Sequence, residues 1–250
     1  EVVRVYNGKF FMLEEHIQRL FKSAQAIRLN INQSTEDIQS IMYDAVRNSG
    51  LTDCDVYIQV TRGIATRNHL FPDVPVSISM TVKPMRVTSE SVRQEGKKAI
   101  FHKDERWANC YIKSLNLLPN ILAKQSANDN GCYEAILVKD GFVTEGTSST
   151  VYIINNHSIY TTPLSKQILP GITRMAVKEI ANKLQIPFVE KQFTPEELLQ
   201  ADEVFITSTT NEIMPIVFVD GQKIKNGTSG KLALEMNRKF MESVELMQYS

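Results

Sequence analysis

At 250 residues and 28.4 kDa, the chain can hold one large or two smaller domains with substantial cores. Lysine plus arginine equals aspartate plus glutamate at 28 each, so no cationic excess points to nucleic acid or an anionic membrane surface. Hydrophobic content of 42% and charged content of 22% are ordinary for a soluble globular protein, and no apolar run approaches a membrane span. The start, Glu1-Val2-Val3-Arg4-Val5-Tyr6, lacks a charged-then-apolar leader layout and reads as a strand under way. Cys54, Cys110 and Cys132 have neither disulfide-framework nor zinc spacing. A reduced, cytoplasmic protein without a metal is the expectation.

Val2 to Tyr6 is apolar and β-branched, and Asn7-Gly8 turns the chain before Phe10-Phe11-Met12-Leu13, a hairpin pattern. Glu14-Glu15 opens a helix whose apolar positions are Ile17, Leu20, Phe21, Ala24 and Ile27, with Arg19 off that stripe. Ser34-Thr35-Glu36-Asp37 starts a second helix, its acids suiting the positive end of the dipole, and Asn48-Ser49-Gly50 ends it. Strands follow at Val56–Thr61 and Val76–Val82, separated by the irregular loop from Arg62 to Pro72. These elements predict a compact α/β first domain over 1–87, with the polar stretch 88–97 as a linker.

The remainder, 98–250, opens with a strand near Lys98–Phe101 and a helix over Leu117–Asn128, with Pro119 tolerable in its first turn. Short strands are expected at Glu134–Val138, Val143–Thr144, Thr150–Ile154 and Ile159–Thr161. A helix running from the Leu169–Arg174 segment to about Leu184 comes next, then strands at Val204–Thr207 and Met214–Val219, and a closing helix from Ser229 to Leu246.

Two residues in unusual local settings carry the first chemical reading. Lys113, in Tyr111-Ile112-Lys113-Ser114-Leu115-Asn116, can condense with an aldehyde; Glu145, in Thr144-Glu145-Gly146, can keep a pyridine nitrogen protonated so that the ring draws electrons. Pyridoxal 5'-phosphate needs both groups and a place for its phosphate. Gly171-Ile172-Thr173 offers backbone N–H groups where a loop becomes a helix, Ser208-Thr209-Thr210 adds hydroxyls at a strand end, and Arg19 can add charge. Taken singly, Lys113 reads as a solvated cation, Thr173 as a cap, the Ser/Thr run as a turn and Arg19 as a solvated helix face. Arg67 and His69 form a second cluster able to hold a carboxylate, against the plain alternative of a polar surface loop. His16, His102 and His157 have no comparable neighbours in sequence and read as structural.

Together these segments resemble the D-amino-acid branch of the pyridoxal-phosphate-dependent class IV aminotransferases, over nearly the whole chain. The most specific matches are Arg67-Asn68-His69-Leu70-Phe71-Pro72 and Lys113-Ser114-Leu115-Asn116, supported by Gly131-Cys132-Tyr133-Glu134-Ala135-Ile136, Glu145-Gly146, Gly171-Ile172-Thr173-Arg174 and Thr207-Ser208-Thr209-Thr210. The fold it implies is two-domain α+β, with a smaller α/β N-terminal domain and a larger C-terminal mixed-sheet pseudo-barrel, shared with branched-chain aminotransferases and aminodeoxychorismate lyase. The resemblance makes Lys113 the Schiff-base lysine and Glu145 the partner of the pyridine nitrogen. It gives the phosphate to Arg19, Ile172 (through its N–H), Thr173 and Thr209, sets Leu169 against the cofactor ring, and puts Glu134 near the lysine. Arg67 and His69 become the trap for the substrate α-carboxylate, supplied across a homodimer.

Two departures stand out. In the family a tyrosine of the carboxylate trap immediately precedes the position of Glu1, where this chain begins; Ala108-Asn109-Cys110-Tyr111 and Pro119 also differ from the family pattern beside Lys113. The expected activity is ping-pong transamination between a D-amino acid such as D-alanine or D-glutamate and a 2-oxo acid such as pyruvate or 2-oxoglutarate. The alternatives are elimination of the aminodeoxychorismate-lyase type, or a catalytically silent cofactor-binding protein.

Overall fold

The structure is a computed structural model and describes residues 1–247. The chain divides into two compact units: Glu1–Arg86, together with Leu246 and Met247, and Val87–Glu245.

In the first unit, β1 (Val2–Tyr6), β2 (Lys9–Phe10), β3 (Cys54–Thr61) and β4 (Ser77–Pro84) form an antiparallel sheet of order β2-β1-β3-β4. Period-two alternation along β3 buries Cys54, Val56 and Ile58 on one face. On that face lie α1 (Leu13–Ala26) and α2 (Thr35–Ser49), contributing Leu13, Ile17, Ile38, Met42 and Val46 to a core with Val3, Val5 and Phe10. The start of α2 is a complete capping box, in which the Ser34 hydroxyl accepts from Asp37 N and the Asp37 carboxylate accepts from Ser34 N; Gly50 ends the helix in the left-handed region.

The second unit is built on a mixed sheet. Its elements are α3 (Glu90–Glu95), β5 (Lys97–Lys103), α4 (Leu118–Asp129), β6 (Glu134–Lys139), β7 (Phe142–Gly146), β8 (Thr150–Asn155), β9 (Ser158–Thr161), α5 (Ile172–Lys183), β10 (Phe188–Glu190), α6 (Pro195–Leu199), β11 (Glu203–Ser208), β12 (Glu212–Val219), β13 (Gln222–Lys223) and α7 (Lys231–Met247). The strands run in the order β10-β9-β8-β11-β12-β5-β6-β7, with β13 added to β12. Pairing is parallel at β10/β9, β12/β5 and β5/β6 and antiparallel elsewhere. The sheet curls so that β7, at one end of this order, comes alongside β8. The core under it includes Ile136, Val143, Val151, Ile206, Met214 and Ile216. Tyr152 and Phe205, opposite each other on β8 and β11, stack with centroids 4.5 Å apart.

The periodic elements fall within a few residues of their predicted positions. The stretch 88–97, expected to be a linker, instead contains α3 and the first residue of β5, and its Arg93 is 4% exposed. Strand β10 and helix α6 were not expected; α6 nevertheless carries a readable signal, a Thr194/Glu197 capping box with Pro195 in its first turn.

The packing of α2 gives a direct test. Met42 is fully buried while its neighbour Ile41 is 43% exposed. Met42→Ala should destabilise the protein by about 2–5 kcal/mol and Ile41→Ala by less than about 0.5 kcal/mol, measured by urea denaturation.

Candidate active site

Glu145 lies on β7, 6% exposed, and two elements grip it. Arg106 Nη1 donates to Oε1, and the Leu169 N–H donates to both oxygens, at 3.2 Å to Oε1 and 3.1 Å to Oε2. Arg106 is itself buried. Its Nε and Nη2 donate to Asp104 at 2.9 and 2.7 Å, and Nη2 also reaches the Gln167 carbonyl at 3.0 Å. The Thr144 hydroxyl donates to Asp104 at 2.7 Å. Two carboxylates thus share one guanidinium. Burial pushes the Glu145 carboxyl up to about 7 although Arg106 pulls the other way, while the Arg106 bonds and charge hold Asp104 below its ordinary value.

This geometry fits a cationic ring nitrogen. Among the described residues, Oε2 of Glu145 accepts only the Leu169 N–H, so it has a lone pair for another donor. A cation there would relieve the burial that raises the carboxyl. Three residues beyond Leu169 the chain enters α5, which has no side-chain cap, so the first-turn N–H groups of Ile172 and Thr173 are the orphan donors of a helix start. Gly171 packs tightly on the beginning of β8: a Cβ there would lie 3.0 Å from Thr150 Oγ1. Thr150 pairs across the sheet with Thr207, and Thr209 follows in the β11–β12 turn. The two segments expected to cradle a phosphate therefore belong to neighbouring ends of one sheet region.

Lys113 is half-buried in irregular chain between β5 and α4. Two bonds flank Lys113: Tyr111 N donates to Lys166 O at 3.3 Å, and Asn120 Nδ2, in the first turn of α4, donates to Thr147 O at 2.7 Å. The coil carrying Lys113 is thus bonded to the segment before Leu169, and the helix that follows it to the turn after Glu145. Glu134 is fully buried and accepts from the Thr147 hydroxyl at 2.5 Å, the Ser149 hydroxyl at 2.9 Å and Ala135 N at 2.9 Å; the cation placed on it is Lys124, at 3.5 Å.

In the first unit, Arg19 is not the solvated side chain its position off the apolar stripe implies. It is 8% exposed and makes a bidentate pair with Glu1, at 2.9 and 2.8 Å. His16, read as having no notable neighbour, sits with Nδ1 2.9 Å from the same carboxylate. Arg67 and His69 are exposed on the loop between β3 and β4. Arg62 holds that loop at its base, donating to the carbonyls of Ile27 and Arg28 at the end of α1 and lying 3.5 Å from the Phe71 ring centroid. The residues missed by pattern reading are Arg106 and Asp104, which sit in a short charged stretch that resembles an ordinary surface, and Lys124, a lone cation in the helix Leu118–Asp129.

A curled mixed sheet with a buried carboxylate at the foot of an uncapped helix places the molecule among aminotransferase folds, and the comparisons agree. The family model for class IV amino-transferases matches residues 1–219, and the chain belongs to that family. It is 43% identical over 249 residues to a D-alanine aminotransferase of Bacillus licheniformis, covering 98% of this chain and 86% of the relative. It is 42% identical over 247 residues to a D-alanine aminotransferase of Listeria monocytogenes, covering 98% and 86%. Among solved structures, the branched-chain amino acid aminotransferase of Escherichia coli superposes with a TM-score of 0.91 at 26% identity, covering 97% of this chain and 84% of that one. A putative 4-amino-4-deoxychorismate lyase of Legionella pneumophila, 20% identical over 97% of this chain and 89% of its own, shares the fold with a TM-score of 0.88. No helix among the described residues is long and apolar enough to cross a membrane.

Raising the Glu145 carboxyl has a thermodynamic signature. The folded value of about 7 lies above the ordinary 4.5, so the native state holds a proton that the unfolded chain has released. That contribution is complete below about 4.5 and is lost as pH rises to about 7. In the cofactor-free protein, melting temperature measured against pH should fall across this window relative to Glu145→Gln, and added pyridoxal phosphate should reduce the difference.

Proposed function

We propose that this aminotransferase uses pyridoxal 5'-phosphate to exchange the amino group between a D-amino acid, with D-alanine first, and a 2-oxo acid. The observation that carries it is the buried Glu145, fixed by Arg106 and the Leu169 N–H with Oε2 left to meet a cationic ring nitrogen. D-alanine as substrate rests on the two relatives named above, which cover nearly the whole chain. When bound, the cofactor takes up the amino group and delocalises the electron pair released at the substrate Cα.

The chain's own residues do the rest. Lys113 is assigned the bond to the cofactor and, once displaced by substrate, the transfer of the Cα proton through Nζ. Glu145 stabilises positive charge on the ring nitrogen, and Leu169 packs beside the ring. The N–H of Ile172, the hydroxyls of Thr173 and Thr209, and Arg19 are assigned to the phosphate. Glu134, close to the Lys113 segment through Thr147, is assigned to the lysine's surroundings.

Arg67 and His69 are assigned the α-carboxylate, across a homodimer. Supporting this, Ile64, Leu70 and Phe71 on the same loop are exposed, as are Leu115, Leu118, Ile121 and Leu122 around the start of α4. Apolar surface of that kind favours burial against a second copy. Fixing the carboxylate decides which enantiomer turns its Cα–H toward Lys113. A cytoplasmic site of action accords with such metabolite substrates.

Borohydride treatment of the loaded enzyme should attach the cofactor covalently, and Lys113→Ala should abolish that label. Label retained at another lysine would refute the assignment. Arg67→Ala should cost on the order of 2–5 kcal/mol in kcat/KM for D-alanine, the scale for removing one partner of a desolvated charge pair. D-alanine with 2-oxoglutarate should turn over far faster than L-alanine. Equal rates on the two enantiomers, together with an unaffected Arg67→Ala enzyme, would show that the loop is no carboxylate trap.

A further inference from the structure

Arg93 takes no part in the chemistry above, yet it is among the most completely engaged side chains of the second unit. It stands on α3 and is 4% exposed. Its Nη1 donates to the carbonyls of Asn211 at 3.0 Å and Ile213 at 2.5 Å, and its Nη2 donates to the Glu212 carboxylate. One planar guanidinium therefore holds three consecutive residues of the β11–β12 hairpin, and Thr209 lies in the turn of that hairpin.

The hairpin needs such a hold. Ser208 pairs with Glu212, leaving a three-residue connection, and Glu212 then adopts φ +56°. Hairpins of this length favour glycine or asparagine at the left-handed position. A glutamate persists there only when its surroundings fix it. Arg93 does so, from the side chain and from both flanking carbonyls. Further bonds stiffen the same turn: Asn211 N donates to Ser208 Oγ at 3.1 Å, and the Tyr133 hydroxyl donates to Asn211 Oδ1 at 2.5 Å.

Helix α3 is itself fixed. Ser229 Oγ donates to the Arg93 carbonyl at 2.6 Å. Gly96, at φ +72°, brings the helix end so close to β12 that a Cβ would lie 2.4 Å from Val217 Cγ1. The guanidinium is thus mounted on a rigid support.

We infer that Arg93 is a positioning residue for the phosphate end of the cofactor site: through Glu212 and the flanking carbonyls it sets the turn that presents Thr209. The inference rests on the assignment of Thr209 to the phosphate. It goes further by making an arginine outside the site responsible for how well phosphate is distinguished from its absence.

The test compares pyridoxal 5'-phosphate with pyridoxal, which has the same ring and aldehyde but no phosphate. The cofactor-free full chain is titrated with each, and the ratio of the two dissociation constants is the readout. A purely structural role for Arg93 would weaken both ligands together and leave the ratio unchanged. Arg93→Lys keeps the charge but cannot span two carbonyls and a carboxylate. It should reduce the preference for the phosphorylated ligand by about tenfold, the scale of one charge-assisted hydrogen bond, with pyridoxal affinity nearly unchanged. Glu212→Gln should shift the ratio the same way by a smaller factor, and it carries the test if Arg93→Lys does not fold. A strong phosphate preference in the wild type that survives in both variants would overturn the role of Arg93. Absence of that preference in the wild type would instead overturn the phosphate assignment, and the inference with it.

Discussion

The second unit is organised around a charge imbalance that it cannot resolve alone. Asp104 and Glu145 lie on either side of Arg106, and all three side chains are at most 7% exposed. Two carboxylates against one guanidinium leave a net negative charge in a poorly solvated volume when both are ionised, and such a charge is costly unless paired. Asp104 has the better share: two guanidinium nitrogens, the Thr144 hydroxyl and the Arg106 N–H all donate to it. Glu145 has the poorer share, and its proton affinity rises. The arrangement is stable with a proton on Glu145 or with an external cation beside Oε2.

The same three residues also join separate parts of the sheet. Asp104 and Arg106 follow β5, Thr144 and Glu145 belong to β7, and Arg106 and Glu145 together bind Gln167 O and Leu169 N on the approach to α5. The approach to the helix start is therefore tied to the carboxylate that would meet the ring nitrogen. Other carboxylates of the unit, the buried Glu134 and the half-buried Glu203, are partnered differently. Glu134 takes two hydroxyls and Lys124, and Glu203 caps α7 through the N–H groups of Leu232 and Ala233. Glu145 differs from both in sharing its guanidinium with a second carboxylate, Asp104.

This contrast explains what could be read from the sequence. Elements that depend on local periodicity or capping were legible, as with the Ser34 box of α2 and the alternation along β3. Lys113, Glu145 and the Gly171-Ile172-Thr173 turn stood out because each has an unusual local setting. Arg106 and Arg93 did not, since Asp104-Glu105-Arg106 and Arg93-Gln94-Glu95 look like solvated charge runs. Their burial is decided by partners 39 residues away for Arg106 and 119 for Arg93, and no local pattern encodes such a distance. His16 and Arg19 were obscure for the same reason: their partner, Glu1, precedes β1, 15 and 18 residues away.

The loop carrying Arg67 and His69 shows a different economy. It has no secondary structure of its own between β3 and β4, so its shape depends on its base. Gly63, at φ +96°, allows a close crossing where a Cβ would lie 2.1 Å from Pro75 O. Arg62 joins the end of α1 to the Phe71 ring, and Arg28 approaches the same ring at 4.9 Å. Carbonyls at a helix C-terminus attract cations, so Arg62 is held by the dipole of α1 as well as by its hydrogen bonds. The Asn68 side chain accepts from His69 N at 2.7 Å and Leu70 N at 3.3 Å, turning the chain between Arg67 and His69. Rigid anchoring at the base and exposed cationic and apolar groups at the tip are what a loop needs if it recognises something outside its own unit. The shape of the loop then depends on Arg62 and Asn68 as much as on the residues at its tip.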